Sequence, residues 1–254
     1  MKIQVLFALS TVLAGVLSGA AICTVYAQGG HVREIGLPAT GGSSDTSVNA
    51  STQVQLPIQI TEPGNYRLNT NLVGLNPNAV IEIESSDVTL DLNGFSISGV
   101  GSGILGSGRN IAISNGSINP DDGFALALSG SNCRVEGLRI AGDAPTGGFP
   151  AAILLGGTNC IVKNNTVEAA GVGISCGGCV VSGNTVTVSG GAPAINASNS
   201  SLVVGNRATG GNVALQADDT TGYAENVLHG VNADVRGGVQ IGQNLCVTSK
   251  ICQP

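Results

Sequence analysis

Two turn-like segments of the sequence carry carboxylates that could bind a metal ion. Asp121 and Asp122 lie in NPDDGF, and Asp143 lies in GDAPTGGFP, the longest insertion between apolar runs. Clustered carboxylates on loops are the ligands that Ca²⁺ prefers. If the two segments stack, these three residues form a candidate calcium site. We expect the chain to require no other cofactor. The alternative is that they are ordinary solvated turn residues, because Asp is a common turn former.

Another set of polar residues recurs at equivalent places in successive sequence repeats. Alignment of the repeats predicts two adjacent outward columns, the first with Arg139, Thr166, Thr185 and Arg207, the second with Glu168, Thr187, Thr209 and His229. Hydroxyl and guanidinium groups hydrogen-bond well to sugars. The candidate binding residues are therefore Asp121, Asp122, Asp143, Thr166, Thr185 and Arg207. The alternative is a polar sheet face that only meets solvent.

The secondary structure that positions these residues can be predicted from a repeat in the sequence. CIVKNNTV at Cys160 returns as CVVSGNTV at Cys179, and the spacings between Asn165, Asn184, Asn206 and Asn226 are 19, 22 and 20 residues. Asn93 and Asn115 are assigned to the same column, in which RVEGLRI places a leucine instead. Short β-type runs separated by Gly, Asn and Ser, at a period near twenty and without helical periodicity, predict a β-solenoid.

The repeated asparagine has two predicted roles. It lies at a sharp bend, where Asn tolerates the left-handed conformation, and its amide can bond to the asparagine stacked on it. Each repeat also contains a second short apolar segment, namely FALAL, AAILL, VGISC, PAINA and VALQA. These segments predict inward residues at Leu126, Ile153, Ile174, Ile195 and Leu215. The outward positions are then Ala125, Ala127, Ala152, Leu154, Gly173, Ser175, Ala194, Asn196, Ala214 and Gln216, none of them charged.

The N-terminus has the pattern of an export signal. A positive start is followed by a largely apolar stretch, and VYA fits cleavage after Ala27. We expect residues 1–27 to be a signal peptide, 28–53 a flexible lead-in and 54–254 a single β-helix domain with an N-terminal cap and a stapled tail. The alternative for the N-terminus is a membrane anchor. The predicted location is secreted or periplasmic, with no membrane span in the mature chain.

The cysteine count agrees with export. Six cysteines remain after the signal peptide, and an even number in an exported protein predicts disulfides. The alignment favours Cys133–Cys160, Cys176–Cys179 and Cys246–Cys252. The main rival pairing is Cys160–Cys179, and free buried thiols are a further alternative. The formal net charge of −6 argues against a nucleic-acid surface, which needs a basic patch.

Three segments of the sequence resemble a known family. DVTLDLNGFSISG and RNIAISNGSI resemble the first coils of secreted bacterial right-handed β-helix repeat proteins of the pectate-lyase-like fold, and GGVQIGQNLCVTSKICQP resembles their C-terminal cap. The resemblance implies an all-β, right-handed parallel β-helix of about seven coils with caps at both ends.

Lyases of this fold bind their substrate along the outer face of one sheet, with acids that hold calcium and an Arg or Lys that accepts the proton. The resemblance thus implies Arg139 as the candidate catalytic base. The uncharged outward positions above depart from that pattern. The first functional hypothesis is therefore a non-catalytic binder of polysaccharide, cell-surface glycan or another extracellular partner. The alternatives are a polysaccharide lyase or epimerase that uses the acidic loops, and a purely structural envelope or adhesive solenoid.

Overall fold

The computed structural model describes residues 32–36, 57–75, 78–142, 151–248 and 252. The expected signal peptide and Asp143 lie outside this part of the chain. Within it, no helix has the length and apolar character needed to cross a bilayer. Residues 33–35, which the sequence assigns to the lead-in, form the first strand and pair with residues 66–68.

Every described coil contributes strands to the faces of one parallel β-solenoid of about eight turns, close to the predicted seven. The first face is a nine-stranded sheet made of β2 (Ile58–Ile60), β5 (Ile81–Ile83), β8 (Ile104–Gly106), β10 (Leu126–Leu128), β12 (Ala151–Leu155), β15 (Val172–Gly177), β18 (Ile195–Ser198), β21 (Val213–Ala217) and β24 (Ala233–Arg236).

The other two faces belong to one 17-stranded sheet, which bends within the long strands β9 (Ile111–Pro120) and β11 (Arg134–Gly142). The second face holds β1 (Arg33–Ile35), β3 (Gly64–Leu68), β6 (Val88–Asp91), β13 (Cys160–Lys163), β16 (Cys179–Ser182), β19 (Leu202–Val204), β22 (Gly222–Ala224) and β25 (Val239–Gln240). The third face holds β4 (Leu72–Gly74), β7 (Ser96–Gly99), β14 (Thr166–Ala169), β17 (Thr185–Val188), β20 (Arg207–Gly210), β23 (Val227–His229) and β26 (Leu245–Cys246).

The core is built from aliphatic columns, because parallel pairing without a shift puts equivalent residues on top of each other. Leu126 pairs with Ile153, Ile153 with Ile174, and so on to Leu215. All five predicted inward residues of this column are fully buried, so that prediction is confirmed. The same column runs on through Ile58, Ile81 and Ile104 at one end and Val235 at the other.

Half of the predicted outward positions on the first face are wrong. Ala125, Ala152, Gly173, Ala194 and Ala214 are buried. They lie at the corner where the chain enters the first face, so the alternation of inward and outward residues begins one position later than expected. A Cβ on Gly173 would lie 2.4 Å from a Val186 methyl and 2.6 Å from the Ala194 carbonyl oxygen. From Ala125 to Ala214 this corner holds only Gly and Ala, whereas Val80 and Asp234 occupy it in coils nearer the two ends.

The two roles predicted for the repeated asparagine belong to two neighbouring columns. The left-handed residues, with φ between 57° and 67°, are Asn115, Gly137, Asn164, Gly183, Gly205 and Glu225. The ladder column follows one position later, with the buried residues Asn165, Asn184, Asn206 and Asn226. The register puts Gly116 rather than Asn115 beside Leu138. The predicted ladder is therefore confirmed, and the assignment of Asn115 to it is wrong.

Three disulfides join the pairs that the alignment favours. They are Cys133–Cys160, Cys176–Cys179 and Cys246–Cys252, with Cα separations of 4.5, 6.2 and 5.2 Å. Cys160 and Cys179, the rival pair, are register partners but are not bonded to each other. The Sγ of Cys179 instead lies 3.4 Å from the Ser201 hydroxyl. The three bonds are compatible with an extracellular or periplasmic protein.

Candidate functional site

The third face carries the first polar column predicted from sequence. Ser117 pairs with Arg139, Arg139 with Thr166, Thr166 with Thr185 and Thr185 with Arg207. The last four of these side chains are exposed. They point outward because the residues between them, such as Val167 and Val186, fill the core. The structure thus brings Arg139, Thr166, Thr185 and Arg207 together in one row.

The second predicted column lies beside the first. Glu168 pairs with Thr187, Thr187 with Thr209, and Thr209 with His229. Asn119 and Ala141 precede Glu168 in the same column, and the Asn119 side-chain oxygen accepts a hydrogen bond from the Ala141 N–H at 3.2 Å. The two columns together form the polar row surface, which we define as Arg139, Thr166, Glu168, Thr185, Thr187, Arg207 and Thr209.

The spacing of this surface is set by the backbone ladder. Adjacent coils lie about 4.8 Å apart, so Arg139 and Arg207, three coils apart, are separated by roughly 14 Å along the solenoid axis. The Nε of Arg139 donates to the Ser117 hydroxyl at 3.3 Å. Among the described residues, neither guanidinium is part of an ion pair. Two cations and the hydroxyls between them therefore face solvent in a regular array.

A groove of about 400 Å³ lies at the edge of the polar row surface. Asp121 and Glu168 both line it, together with Asn119, Thr187 and Ser189. Asp122 does not line this groove, and its carboxylate accepts a hydrogen bond from the Gly123 N–H at 2.7 Å. Within the described ranges, no group of three His, Cys, Asp or Glu side chains is arranged to hold a metal ion. The proposed calcium site includes Asp143, so it stays a prediction.

Glu168 is the groove residue that sequence reasoning did not select. The alignment placed Glu168 in the second polar column, with Thr187, Thr209 and His229. Its closeness to Asp121, 47 positions away, depends on how the chain turns after β9. The signal in the sequence was the column itself, in which Glu168 is the one carboxylate beside Thr187, Thr209 and His229.

A second groove lies on the first face. Its volume is about 360 Å³, with Leu105, Ala127 and Leu154 on its floor and Glu82 and Glu84 at one side. Glu82 pairs with Leu105, and Leu105 with Ala127, so Glu82 extends the outward column of this face. The stretch of this column from Leu105 to Gln216 is therefore uncharged, and it lies between Glu82 on one side and Arg236 on the other.

Two carboxylates of the described chain have lowered pKa values, and both serve the scaffold. The Lys163 ammonium, 3.0 Å away, lowers the pKa of Glu136 on the second face. The Asn199 N–H, at 2.7 Å, and the Thr221 hydroxyl, at 2.8 Å, lower the pKa of Asp218 to about 2. Neither carboxylate belongs to the polar row surface.

Comparison of the chain with protein-family models, with curated proteins and with solved structures found no match. The solenoid architecture is a property of the structure itself. The family membership that the sequence resemblance implies stays a prediction.

Proposed function

We propose that this chain is an exported β-solenoid that binds a polysaccharide along its third face without altering it chemically. The observation that carries the proposal is the exposed column of Arg139, Thr166, Thr185 and Arg207. A polysaccharide repeats the same hydroxyl and ring-oxygen groups at regular intervals, and a solenoid repeats its side chains at regular intervals.

The chemistry of the column supports this ligand class. Threonine hydroxyls both donate and accept, which matches sugar hydroxyls, and each guanidinium adds several donors in a plane. The two arginines favour sugars that carry carboxylate or sulfate groups, because charge-assisted bonds are about twice as strong as neutral ones. Extended surfaces of stacked repeats are also a common place for solenoid proteins to bind partners.

One observation supports the lyase or epimerase alternative. Asp121 and Glu168 line one groove, and Arg139 lies in the neighbouring column. In that alternative the acids, with Asp143, hold calcium and Arg139 accepts the proton. The purely structural alternative is supported by the scarcity of aromatic residues that could stack on sugars, since the whole chain has only seven Phe and Tyr and no Trp.

The test is a binding panel of neutral, uronate-containing and sulfated polysaccharides with the exported chain, with and without Ca²⁺. The double variant Thr166→Val/Thr185→Val and the variant Arg207→Ala remove hydrogen-bonding groups from the column. Thr89→Val and Arg109→Ala are matched controls, because both side chains are exposed elsewhere on the solenoid. We expect the column variants to weaken binding at least tenfold, about 1.4 kcal/mol, and the controls to bind as the unmodified chain does.

Absorbance of unsaturated uronate products is followed in the same samples. If unsaturated products form, and Arg139→Ala or Asp121→Asn abolishes their formation, the lyase alternative replaces the proposal of non-catalytic binding. Calcium-dependent binding that is lost in Asp121→Asn would support the metal site at the acidic loops. Binding to none of the polysaccharides would leave the structural alternative as the better account.

A further inference from the structure

Three cysteines of the solenoid core lie on successive coils in one column of the second face. Cys133 and Cys160 directly precede the register pair Arg134–Ile161, and Cys160 is itself the register partner of Cys179. All three side chains are buried. Cys160 therefore lies between two cysteines, and it is bonded to only one of them, Cys133.

The spacing of adjacent coils permits a disulfide on either side of Cys160. Cys133–Cys160 joins two stacked cysteines whose Cα atoms are 4.5 Å apart. Cys160 and Cys179 are stacked in the same way. Paired parallel strands lie about 4.8 Å apart, which falls within the roughly 4.4–6.8 Å between Cα atoms that a disulfide spans. The bond from Cys160 to one neighbour can thus be exchanged for a bond to the other without a change in strand pairing.

The stacking also provides the direction of approach that disulfide exchange needs. A thiolate attacks one sulfur of a disulfide and the other sulfur leaves, so the attacking sulfur approaches from the side opposite the leaving one. Cys179 lies one coil beyond Cys160, and Cys133 lies one coil before it. Attack by Cys179 on the Cys160 Sγ therefore expels Cys133 on the far side. The next residue of the column is Ser201, which carries no sulfur, so the exchange ends at Cys179.

Cys179 is kept from this attack by its bond to Cys176 across the Gly177–Gly178 bend. Both glycines are partly exposed. Among the four cysteines of the two disulfides, Cys176 is the most accessible, at 5%, and Cys160 the least, at 0%. A small thiol therefore reaches Cys176 most easily, and its attack there releases Cys179 as the thiolate in the coil next to Cys160.

We infer that these four cysteines form a disulfide relay, in which a thiol reductant that opens Cys176–Cys179 moves the other bond from Cys133–Cys160 to Cys160–Cys179. One reductant thiolate attacks the Cys176 Sγ, forms a mixed disulfide with it and releases the Cys179 thiolate. This thiolate attacks the Cys160 Sγ, and the Cys133 thiolate leaves and takes up a proton. A second reductant thiol attacks the mixed disulfide, which frees Cys176 as a thiol and oxidises the reductant to its own disulfide.

The relay makes the covalent links between coils depend on the redox surroundings of the protein. A bond between the coils of β11 and β13 is replaced by one between the coils of β13 and β16. The two thiols that remain, at Cys133 and Cys176, lie two coils or roughly 10 Å apart along the axis, which is too far for a disulfide. The relay uses the solenoid core alone, so it is independent of polysaccharide binding.

Limited reduction of the folded chain, with its three disulfides formed, tests the relay. The chain is treated with low concentrations of dithiothreitol, labelled with excess N-ethylmaleimide in urea, digested with pepsin in acid and mapped by mass spectrometry without further reduction. Molecules with two labels and an intact C-terminal disulfide are expected to carry the labels at Cys133 and Cys176 and to contain a Cys160–Cys179 bond. Labels at Cys176 and Cys179, with Cys133–Cys160 retained, would overturn the inference.

A matched pair of variants identifies the attacking sulfur without any reductant. Cys176→Ser leaves Cys179 as a free thiol in the column, and label is expected at Cys133 as well as at Cys179. Cys179→Ser leaves Cys176 free outside the column, and label is expected at Cys176 alone. A Cys176→Ser chain labelled only at Cys179, or a Cys179→Ser chain labelled at Cys133, would contradict the relay. Thermal unfolding checks that both variants are folded, and alanine at the same position replaces a serine variant that is not.

Discussion

The side-chain oxygen of Asn184 accepts two hydrogen bonds from Asn165, one from its backbone N–H at 2.9 Å and one from its amide nitrogen at 3.0 Å. The same pair of bonds joins Asn184 to Asn206, Asn206 to Asn226 and Asn226 to Asn244. Each amide nitrogen also donates to a main-chain carbonyl, such as that of Val135 for Asn165. The ladder thus satisfies the buried polar groups at one corner of five successive coils.

Replacement of a ladder residue is expected to destabilise the protein strongly. Asn165→Ala removes the acceptor of the Leu138 N–H and leaves that buried donor without its partner. The expected loss of unfolding free energy is about 3 kcal/mol, since each unsatisfied buried group costs roughly 1–3 kcal/mol. Urea denaturation measures it. The control is Asn164→Gly at the adjacent exposed position with φ of 57°, where glycine already occurs in other coils and little change is expected. Similar losses for both would contradict the division of roles.

The small-residue corner of the first face makes a second prediction. Gly173→Ala forces a methyl group against Val186 and the Ala194 carbonyl, and overpacking of this kind typically costs about 1–3 kcal/mol. Gly191→Ala is the matched control, because no atom lies within 4 Å of the added Cβ. The control is expected to be neutral or slightly stabilising. Thermal unfolding of the two variants compares them, and a Gly173 variant as stable as its control would show that the corner can relax.

The lowered pKa of Asp218 predicts how the stability of the folded chain depends on pH. Its pKa falls from 3.8 to about 2 in the folded chain, first because of the Asn199 N–H and then because of the Thr221 hydroxyl. The folded state therefore favours the charged carboxylate, so this contribution is complete above about pH 4 and is lost as the pH falls towards 2. Asp218→Asn is expected to flatten the stability curve in that window.

Unfolding midpoints measured between pH 2 and 6 test the Asp218 prediction. The matched control is Asp219→Asn, because Asp219 is the exposed neighbour and takes none of these hydrogen bonds. An Asp218 variant whose curve keeps the acid limb of the unmodified chain would count against the prediction.

The three disulfides are expected to differ in their effect on stability. Cys133–Cys160 closes a loop with a sequence separation of 27, while Cys176–Cys179 spans only 3. Loop-closure entropy gives about 3.5 kcal/mol for the long loop and about half of that for the short one. Paired Cys→Ala variants, compared by urea denaturation, are expected to show this order. Equal losses would mean that local packing, not chain entropy, sets the effect.

The sequence by itself determined the solenoid. Asparagine recurs every 19 to 22 positions, with aliphatic residues at fixed offsets from it. Such a repeat packs by stacking equivalent residues of successive coils on each other. This is why the buried column from Leu126 to Leu215 and the exposed column from Arg139 to Arg207 could both be predicted from alignment. The disulfide pairs that the sequence favoured are the ones formed, but the shared column of Cys133, Cys160 and Cys179 had left Cys160–Cys179 open as a rival, and only the structure decided between them.

Only the tertiary structure decided what depends on the turns. Asn115 and Asn165 look equivalent in an alignment, but the strand registers stack Asn115 on the left-handed position of Asn164 and put Gly116 in the ladder column. Asp121 and Glu168 share a groove although 47 positions separate them. Local patterns specify which residues repeat, whereas register and turn geometry specify which residues meet.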